Sequence, residues 1–358
     1  ILSGHDTLAL MPTGGGKSIT FQVPALANPG ICLVISPLVA LMKDQVKNLQ
    51  KRGILSAFIS SEMPHWEILQ QLDNCILGDY KFLYISPERI SSELFQEKLK
   101  TLSSKVNLLV VDEAHCISQW GNDFRRDYRL IADIRDAIPH VQVIAVTASA
   151  TAAVVADICE QLHFRKGYRI FKTSFERKNL SFVVRKTDNK LKEICHILSA
   201  VPGSAVIYSR TRKGVEEYAG KLRAAGISAE YFHAGLDPVL KTERQADWVK
   251  GFTRVLVATN AFGMGIDKGD VRVVIHTEFP DSMEAYYQEA GRAGRDGKRA
   301  YAVALLGPQD ITDIKRRPSN ASRQSNISNG FMKLCATVSR SRKVMGKGCR
   351  SISTNRNF

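Results

Sequence analysis

The segment from Met11 to Ser18 has the residue types and spacing of a loop that binds phosphate groups. The apolar run Leu8–Leu10 precedes it and a helical pattern from Ile19 to Leu26 follows, which is the strand–turn–helix context that such a loop needs. Glycines let backbone N–H groups approach phosphate oxygens, and the helix N-terminus favours an anion. A glycine-rich turn with a chance Lys-Ser pair is the alternative. The candidate nucleotide-binding residues are Thr13, Gly14, Gly15, Gly16, Lys17 and Ser18.

Two adjacent acids, Asp112 and Glu113, close a second apolar run at 106–111. Carboxylates at the end of a buried strand are costly unless a cation or a reaction needs them. We expect Asp112 and Ser18 to hold Mg²⁺ and Glu113 to polarise an attacking water, while Lys17 reaches the β- and γ-phosphates. A surface turn could also read Asp-Glu, but the acids follow the phosphate loop in the order that hydrolysis of a nucleoside triphosphate such as ATP requires.

Short β-branched runs alternate with helical patterns along the chain, which predicts an α/β fold with parallel strands and crossover helices. A break near residues 165–180 separates two sets of strands. The predicted strands are 31–37, 81–87, 106–112 and 141–147, then 204–209, 229–232, 254–259 and 271–276. The predicted helices include 38–51, 211–225, 238–250 and 282–290. We therefore expect two domains, 1–170 and 171–310, followed by a basic, disordered tail at 311–358.

Most of the excess positive charge of the chain lies in its C-terminal tail. The chain has 358 residues and a formal net charge of +15, but eleven of its 50 Lys and Arg lie from Lys315 onward, which leaves 39 against 35 acids in the body. No stretch approaches ~18 consecutive apolar residues, so we expect no membrane span. The seven cysteines include no C-x-x-C pair, so we expect reduced thiols, no zinc site and no secretion.

Two longer motifs carry a family resemblance. The acidic pair continues as Ala114-His115-Cys116-Ile117-Ser118-Gln119-Trp120-Gly121-Asn122-Asp123-Phe124-Arg125, and residues 288–297 read Gln-Glu-Ala-Gly-Arg-Ala-Gly-Arg-Asp-Gly. The chain resembles the RecQ family of superfamily 2 DNA helicases over roughly residues 1 to 308. Relatives usually have His and Pro where this chain has Asn122 and Arg126. The resemblance implies two RecA-like domains, and it leads us to expect neither the upstream adenine-reading segment nor the zinc module of many relatives.

The resemblance also implies roles for residues that the spacing alone leaves open. Ser36 and Ser86 would contact the DNA backbone, although helix capping explains both equally well. Trp120 and Phe124 form either a core pair or, with Arg125, a loop that senses a DNA strand. His115 is a buried structural partner or a relay between the acids and the second domain. Thr147 would couple the nucleotide site to the DNA groove, or a cap at Ser149 or Thr151 would explain this segment.

In the second half, the family pattern gives DNA and nucleotide roles to residues that directly follow strands. The backbone of DNA would lie at Arg210, His233 and Thr259, with nucleotide sensing between Gly263 and Asp267. Arg295 is the better candidate for an arginine finger, and Arg292 would support the γ-phosphate side. Such a finger contributes roughly 10³–10⁵ in rate.

Taken with the family, the sequence predicts an ATP- and Mg²⁺-dependent 3′-5′ DNA helicase that unwinds single-stranded and branched DNA substrates in recombination and repair. We expect it in a bacterial cytoplasm or in a nucleus. One alternative is a superfamily 2 RNA helicase. Another is a truncated motor fragment that binds DNA through its basic tail but turns over poorly. The sequence names no protein partner.

Overall fold

The computed structural model describes residues 1–12, 15–118, 125–148, 150–174, 176–262, 268–280, 283–308 and 310, without the side chains of 283 and 284. The chain divides into two compact units, and the division falls after residue 175. Each unit is built on one parallel β-sheet.

The first unit contains a seven-stranded sheet in the order β3-β4-β2-β5-β6-β1-β7. Each central strand is an apolar run buried on both faces, which is typical of parallel sheets with helices on both sides. The seven strands are β1 (Thr7–Leu10), β2 (Ile31–Ile35), β3 (Ser56–Ile59), β4 (Phe82–Ile85), β5 (Val106–Val111), β6 (Gln142–Thr147) and β7 (Arg169–Lys172).

Amphipathic helices connect these strands. The second helix buries Met42, Val46 and Leu49, whose i, i+4, i+7 spacing gives one apolar stripe against the sheet. Among the described residues, no helix combines the length and the apolar character that crossing a bilayer requires. The helices are α1 (Lys17–Ala27), α2 (Val39–Gln50), α3 (His65–Leu77), α4 (Glu93–Leu102), α5 (Ile131–Ala137) and α6 (Ala152–Gln161), with 3₁₀ turns at Pro87–Arg89, Ser103–Lys105, Ala114–Ile117 and Arg126–Leu130.

The second unit repeats the plan with a six-stranded sheet in the order β10-β11-β9-β12-β13-β8. Its strands are β8 (Leu180–Lys186), β9 (Ser204–Tyr208), β10 (Ala229–Phe232), β11 (Val255–Ala258), β12 (Val271–His276) and β13 (Ala300–Leu306). Its helices are α7 (Lys190–Ala200), α8 (Arg212–Ala224), α9 (Pro238–Lys250) and α10 (Met283–Ala290). The predicted α/β fold class with two parallel sheets is confirmed.

Parallel strands end at one edge of their sheet, so the residues that follow them are gathered there. The register pairs Ile35 with both Ile85 and Val111, which sets Ser36, Ser86 and Asp112 side by side. Backbone bonds extend the ladder by one residue: the N–H of Asp112 donates to the Ile35 carbonyl and that of Ser36 to the Ile85 carbonyl. The edge of the sheet therefore assembles polar side chains that are far apart in sequence.

The opposite edge of the first sheet is held by Asp6, a fully buried carboxylate directly before β1. It accepts hydrogen bonds from the backbone N–H of Val143 at 2.9 Å and of Arg165 at 2.8 Å, and from the guanidinium of Arg135 at 3.2 Å. Burial by itself raises the pKa of Asp6, but the hydrogen bonds from Arg165 and Val143 and the charge of Arg135 outweigh it and lower the pKa below 3.8.

We predict that Asp6→Asn lowers the free energy of unfolding of the first unit by about 3–5 kcal/mol, because it leaves a buried guanidinium without its counter-charge. The loss should be present at neutral pH and shrink below pH 3.8, since the parent loses the stabilisation as pH falls through the lowered pKa of Asp6. Urea unfolding as a function of pH measures it. Asp73→Asn, which removes a more exposed partner of Lys98, is the control and should cost under about 1 kcal/mol.

Candidate functional site

The candidate phosphate-binding segment lies between the end of β1 and the start of α1. The N–H of Met11 continues the sheet by donating to the Thr147 carbonyl at 3.0 Å. A Cβ on Gly15 would lie 2.9 Å from the Pro12 carbonyl oxygen, and Gly16, the N-cap of α1, has a left-handed φ of 82°. Both positions therefore favour glycine for steric or conformational reasons. The chain enters the helix without a capping side chain, as a loop that receives an anion requires.

Lys17, the first residue of α1, faces the acidic turn after β5. Its Nζ lies 2.9 Å from Oε1 of Glu113, and both side chains are mostly buried, 16% and 18% exposed. The sequence separates these residues by 96 positions, and the sheet brings them together. A cation and a carboxylate thus lie in contact next to the glycine loop.

Asp112 is the more deeply buried of the two acids. Its Oδ1 accepts the N–H of Glu113 at 2.9 Å, and its Oδ2 accepts the hydroxyl of Ser36 at 3.3 Å. Burial raises the pKa of Asp112 to about 6, the charge of Glu113 adds to the rise, and the charge of Lys17 opposes it. Burial and the neighbouring Glu113 disfavour the charged form of Asp112, and a divalent cation bound there would stabilise that form.

The donors present fit Mg²⁺ better than a metal that needs a full protein cage. In the part of the chain that the structure describes, no group of three or more His, Cys, Asp or Glu side chains is placed to hold a metal. Mg²⁺ keeps several waters and takes one or two carboxylates together with substrate phosphates. Asp112 and Ser18 match that requirement, with the remaining ligands left to water and phosphate.

Glu113 has a left-handed backbone, with φ 46° and ψ 47°. Only one other described residue besides glycines, His163, shares a positive φ. This conformation costs a non-glycine residue about 1–3 kcal/mol and persists where surrounding contacts enforce it. Here it turns the Glu113 carboxylate from the strand end toward Lys17.

His115 connects the acidic turn to the end of β6. Its Nδ1 lies 2.8 Å from the hydroxyl of Thr147 and 3.4 Å from Oε2 of Glu113, and the ring is buried. This geometry fits a buried partner that joins the acids to Thr147 within the first unit, and the relay to the second domain stays a prediction. Thr151 is the N-cap of α6, where its hydroxyl accepts the N–H of Val154.

The capping interpretation of Ser36 is wrong. The helix begins at Val39 with Leu38 as its N-cap, because Ser36 is drawn into the ladder at the strand end and donates to Asp112 instead. Ser86 does precede a 3₁₀ turn with Pro87 at its first position, but its buried hydroxyl has no hydrogen-bond partner among the described residues. The DNA-backbone role of both residues stays a prediction.

The strand ends of the second unit hold three more of the candidates. His233 is buried, its Nε2 lies 2.9 Å from Oε1 of Glu216, and its ring stacks on Tyr231. Arg210 is exposed, and its N–H donates to Oε2 of Glu278 at 3.1 Å. Thr259 follows β11 and is 7% exposed.

The two candidate arginines, Arg292 and Arg295, lie in a tight turn after α10. Arg177 supports this turn by donating from its guanidinium to the carbonyls of Ala293 and Gly294 at 3.1 and 2.6 Å. Asn179 donates to the Gly294 carbonyl at 2.7 Å. Sequence reasoning treated Arg177 and Asn179 only as a break in the pattern, because their partners lie more than 110 residues away.

Tyr208, at the end of β9, is a second residue that sequence reasoning missed. Its hydroxyl donates to the Phe262 carbonyl at 3.1 Å, directly before the 263–267 segment. Burial raises the pKa of Tyr208 to about 12, and the positive charge of Arg292 opposes the rise. A buried, aromatic last residue of a strand reads as core in a sequence, so no local signal marks this link.

Several predicted site residues lie outside the described residues. They are Thr13, Gly14, Trp120, Phe124, Gly263 and Asp267, together with Ser149 and the tail from residue 311.

Comparisons with known proteins agree with this layout. A model of DEAD/DEAH box helicases matches residues 1–158, within the first unit. A model of the helicase conserved C-terminal domain matches residues 189–297, within the second. The fold also resembles solved structures at low identity. One is Mycobacterium smegmatis helicase Lhr bound to single-stranded DNA and AMP-PNP, with a TM-score of 0.68 at 20% identity over 87% of this chain and 45% of that one. Another is S. cerevisiae Dbp5 bound to RNA and ADP BeF3, with a TM-score of 0.66 at 18% identity over 87% of this chain and 81% of that one.

The two parallel sheets, the contact of Lys17 with the acidic turn and the two matching models indicate superfamily 2 helicase domains. Closer relatives narrow the class. The ATP-dependent DNA helicase RecQ of Bacillus subtilis is 44% identical over 309 residues, 86% of this chain and 52% of that protein. ATP-dependent DNA helicase Q-like 4B of Arabidopsis thaliana is 41% identical over 343 residues, 93% of this chain and 29% of that protein.

The chain belongs to the RecQ family of helicases. It spans about half the length of its bacterial relative and less of the plant one.

We predict that Gly294→Ala destabilises the second unit far more than Gly297→Ala. Both glycines have a positive φ, 62° and 78°, so both substitutions carry a backbone penalty of about 1 kcal/mol. At Gly294 a Cβ would also lie 2.6 Å from Nδ2 of Asn179 and 2.8 Å from the Lys298 carbonyl oxygen, whereas nothing lies within 4 Å at Gly297. Urea unfolding of both variants measures the difference. Equal losses would show that the turn can shift and that its support by Asn179 is dispensable.

Proposed function

We propose that the chain is the motor of an ATP-dependent DNA helicase of RecQ type. The observation that carries this proposal is the contact of Lys17 with Glu113 beside the buried Asp112, at the strand edge that follows the glycine loop. The relatives named as ATP-dependent DNA helicases support the choice of DNA. We further propose the division into helicase domains 1–170 and 171–310 with a basic tail at 311–358.

In this proposal the substrate ATP takes Lys17 away from Glu113. The β- and γ-phosphates carry more charge than one carboxylate, so Lys17 moves its contact to them. Glu113 is then freed to orient the attacking water and accept its proton. Asp112 and Ser18 would hold Mg²⁺, which would supply positive charge to offset the negative charge of the phosphates.

The second domain supplies the remaining positive charge in this proposal. Arg295 acts as the arginine finger and Arg292 supports the γ-phosphate side, while residues Gly263 to Asp267 sense the nucleotide state. The turn that carries both arginines is held by Arg177 and Asn179, which suits groups that need fixed geometry. Closure of the two domains then completes the site only when ATP is bound, which couples hydrolysis to movement.

The DNA track follows the strand ends of both domains. Ser36 and Ser86 would line it in the first domain and Arg210, His233 and Thr259 in the second, while the buried Thr147 would couple it to the nucleotide site. The chemistry of these groups suits phosphate contacts, which fix orientation without reading sequence. We propose 3′-5′ movement on single-stranded and branched DNA in recombination and repair, as expected for the family, in a bacterial cytoplasm or a nucleus.

An RNA helicase is the second candidate. It has a specific basis, because one solved structure with the same fold is described as bound to RNA. The fold alone therefore does not choose between the nucleic acids. The closer identity to relatives named as DNA helicases favours DNA, as does the aromatic-rich segment 119–125 that the RecQ resemblance identifies.

For the chemistry, we predict that Lys17→Ala abolishes ATP hydrolysis, because the β- and γ-phosphates lose their main protein partner. Glu113→Gln should still bind ATP, at least as tightly as the parent because the carboxylate no longer competes for Lys17, and should lose turnover. Steady-state ATPase rates and binding of a fluorescent ATP analogue measure the two effects. Lys43→Ala, which breaks an exposed pair with Glu62, is the control for removing a lysine and should hydrolyse ATP at the parent rate. Parent-like hydrolysis by Glu113→Gln would refute the assignment of Glu113.

For the nucleic acid, we expect single-stranded DNA to stimulate the ATPase of this chain and single-stranded RNA to do so weakly. Deleting residues 315–358 removes eleven positive charges, so DNA binding should weaken and depend less on salt. The stimulated rate at saturating DNA should survive the deletion, because the proposed motor residues lie before it. Equal or stronger stimulation by RNA would favour the alternative, and binding without stimulation would leave only a DNA-binding fragment.

A further inference from the structure

The chain that follows the aromatic-rich segment returns directly to the acidic turn. The N–H of Arg125 donates to the Cys116 carbonyl at 2.9 Å, and its guanidinium reaches the Pro37 carbonyl at 3.5 Å. A 3₁₀ turn, Arg126–Leu130, then leads into α5. Residues 119–124 are thus bracketed by two stretches that both lie against the acidic turn.

Tyr128 makes the most direct contact between this returning chain and the acids. It is fully buried in the core of the first unit, and its hydroxyl donates to the backbone carbonyl of Asp112 at 2.9 Å. Burial raises the pKa of Tyr128 well above 10.0, so the hydroxyl stays a donor at any working pH. A buried tyrosine hydroxyl needs such a partner, and this one selects the carbonyl between the two acids.

That carbonyl belongs to the peptide joining Asp112 to Glu113, so its direction is tied to φ of Glu113. Three hydrogen bonds hold the left-handed conformation there. The N–H of Glu113 donates to Oδ1 of Asp112 at 2.9 Å, the N–H of Cys116 donates to the Glu113 carbonyl at 2.9 Å, and Tyr128 holds the Asp112 carbonyl. The first two are local to the turn. Tyr128 alone among these three comes from beyond the aromatic-rich segment.

We propose that Tyr128 is a positioning residue for ATP hydrolysis: its hydroxyl fixes the peptide between Asp112 and Glu113 and so aims the Glu113 carboxylate. The inference rests on the proposed function, in which Glu113 orients the attacking water. It also gives a short physical route from the chain that follows the aromatic-rich segment to Glu113. A shift of the chain at residues 125–130 would change the hydrogen bond of Tyr128 to the peptide between Asp112 and Glu113.

Tyr128→Phe tests the proposal because it keeps the ring in the core and removes only the hydroxyl. We expect kcat for ATP hydrolysis to fall roughly tenfold, the factor that one hydrogen bond of ordinary strength represents. The KM for ATP should stay within about twofold of the parent, since Lys17 and the glycine loop are untouched. A purely structural role would instead lower the melting temperature and impair both kcat and the KM for ATP.

Tyr84→Phe is the matched control. Tyr84 is also a buried tyrosine of the first sheet, but its hydroxyl accepts from Nε2 of Gln22 at 3.5 Å. Losing that hydroxyl should leave kcat and the KM for ATP at parent values. Should Tyr128→Phe melt below the assay temperature, the same comparison is made at a temperature where both variants are folded.

A double variant separates action through Glu113 from action elsewhere. If Tyr128 works by aiming Glu113, adding Tyr128→Phe to Glu113→Gln should cause no further loss of the residual rate. Full additivity, or a parent-like kcat in Tyr128→Phe, would overturn the inference and leave the proposed function intact. A parent that hydrolyses ATP without stimulation by DNA would instead overturn the DNA motor, while the kcat comparison still decides the role of Tyr128. A parent with no ATP hydrolysis overturns both.

Discussion

The buried acidic pair at the end of β5 is the constraint on which the rest of the first unit depends. Two adjacent carboxylates at the end of a central strand repel each other and lose hydration, so positive charge and hydrogen-bond donors must reach them. Lys17 supplies the charge from α1, and Ser36 supplies a donor from the end of β2. Tyr128 donates a hydrogen bond to the backbone carbonyl between the two acids. Four separate stretches of chain therefore converge because of one electrostatic requirement.

A parallel sheet brings such groups together because of its topology. Each strand enters from the same side, so each connection begins at the same edge and can offer its first side chains to a common site. Ser36, Asp112 and Thr147 occupy this edge in the first unit, and Arg210, His233 and Thr259 follow strands of the second in the same way. At the opposite end of the strands, Asp6 stabilises the sheet instead. Its carboxylate accepts hydrogen bonds from Val143 in β6 and from Arg165 after α6.

The fold class, the core strands, the glycine loop and the acidic turn followed from the sequence, because each has a local pattern, whereas the contact of Lys17 with Glu113 is a product of the tertiary fold. Apolar runs of strand length predict β5, and a Gly-rich turn before a helix predicts the start of α1. The sequence left capping open as an alternative for Ser36, because Ser-Pro before a helical pattern gives the same letters whether the hydroxyl faces the helix or a neighbouring strand end. Tyr128, Tyr208 and Arg177 have no local pattern, since their partners are backbone carbonyls that only the tertiary fold brings near.

The left-handed conformation of Glu113 links stability to function at a single residue. Glycine would adopt this backbone freely, but glycine has no carboxylate, so the site keeps an acid where the backbone is strained. A strained residue held by a few hydrogen bonds has another arrangement within a few kcal/mol, and a ligand that favours one arrangement shifts the balance. Under the proposed function, phosphates that compete for Lys17 would act on the side chain of Glu113, while the chain carrying Tyr128 would act on its backbone. The same residue would then respond to the nucleotide and to the chain that follows the aromatic-rich segment, which is what the proposed motor requires of its acid.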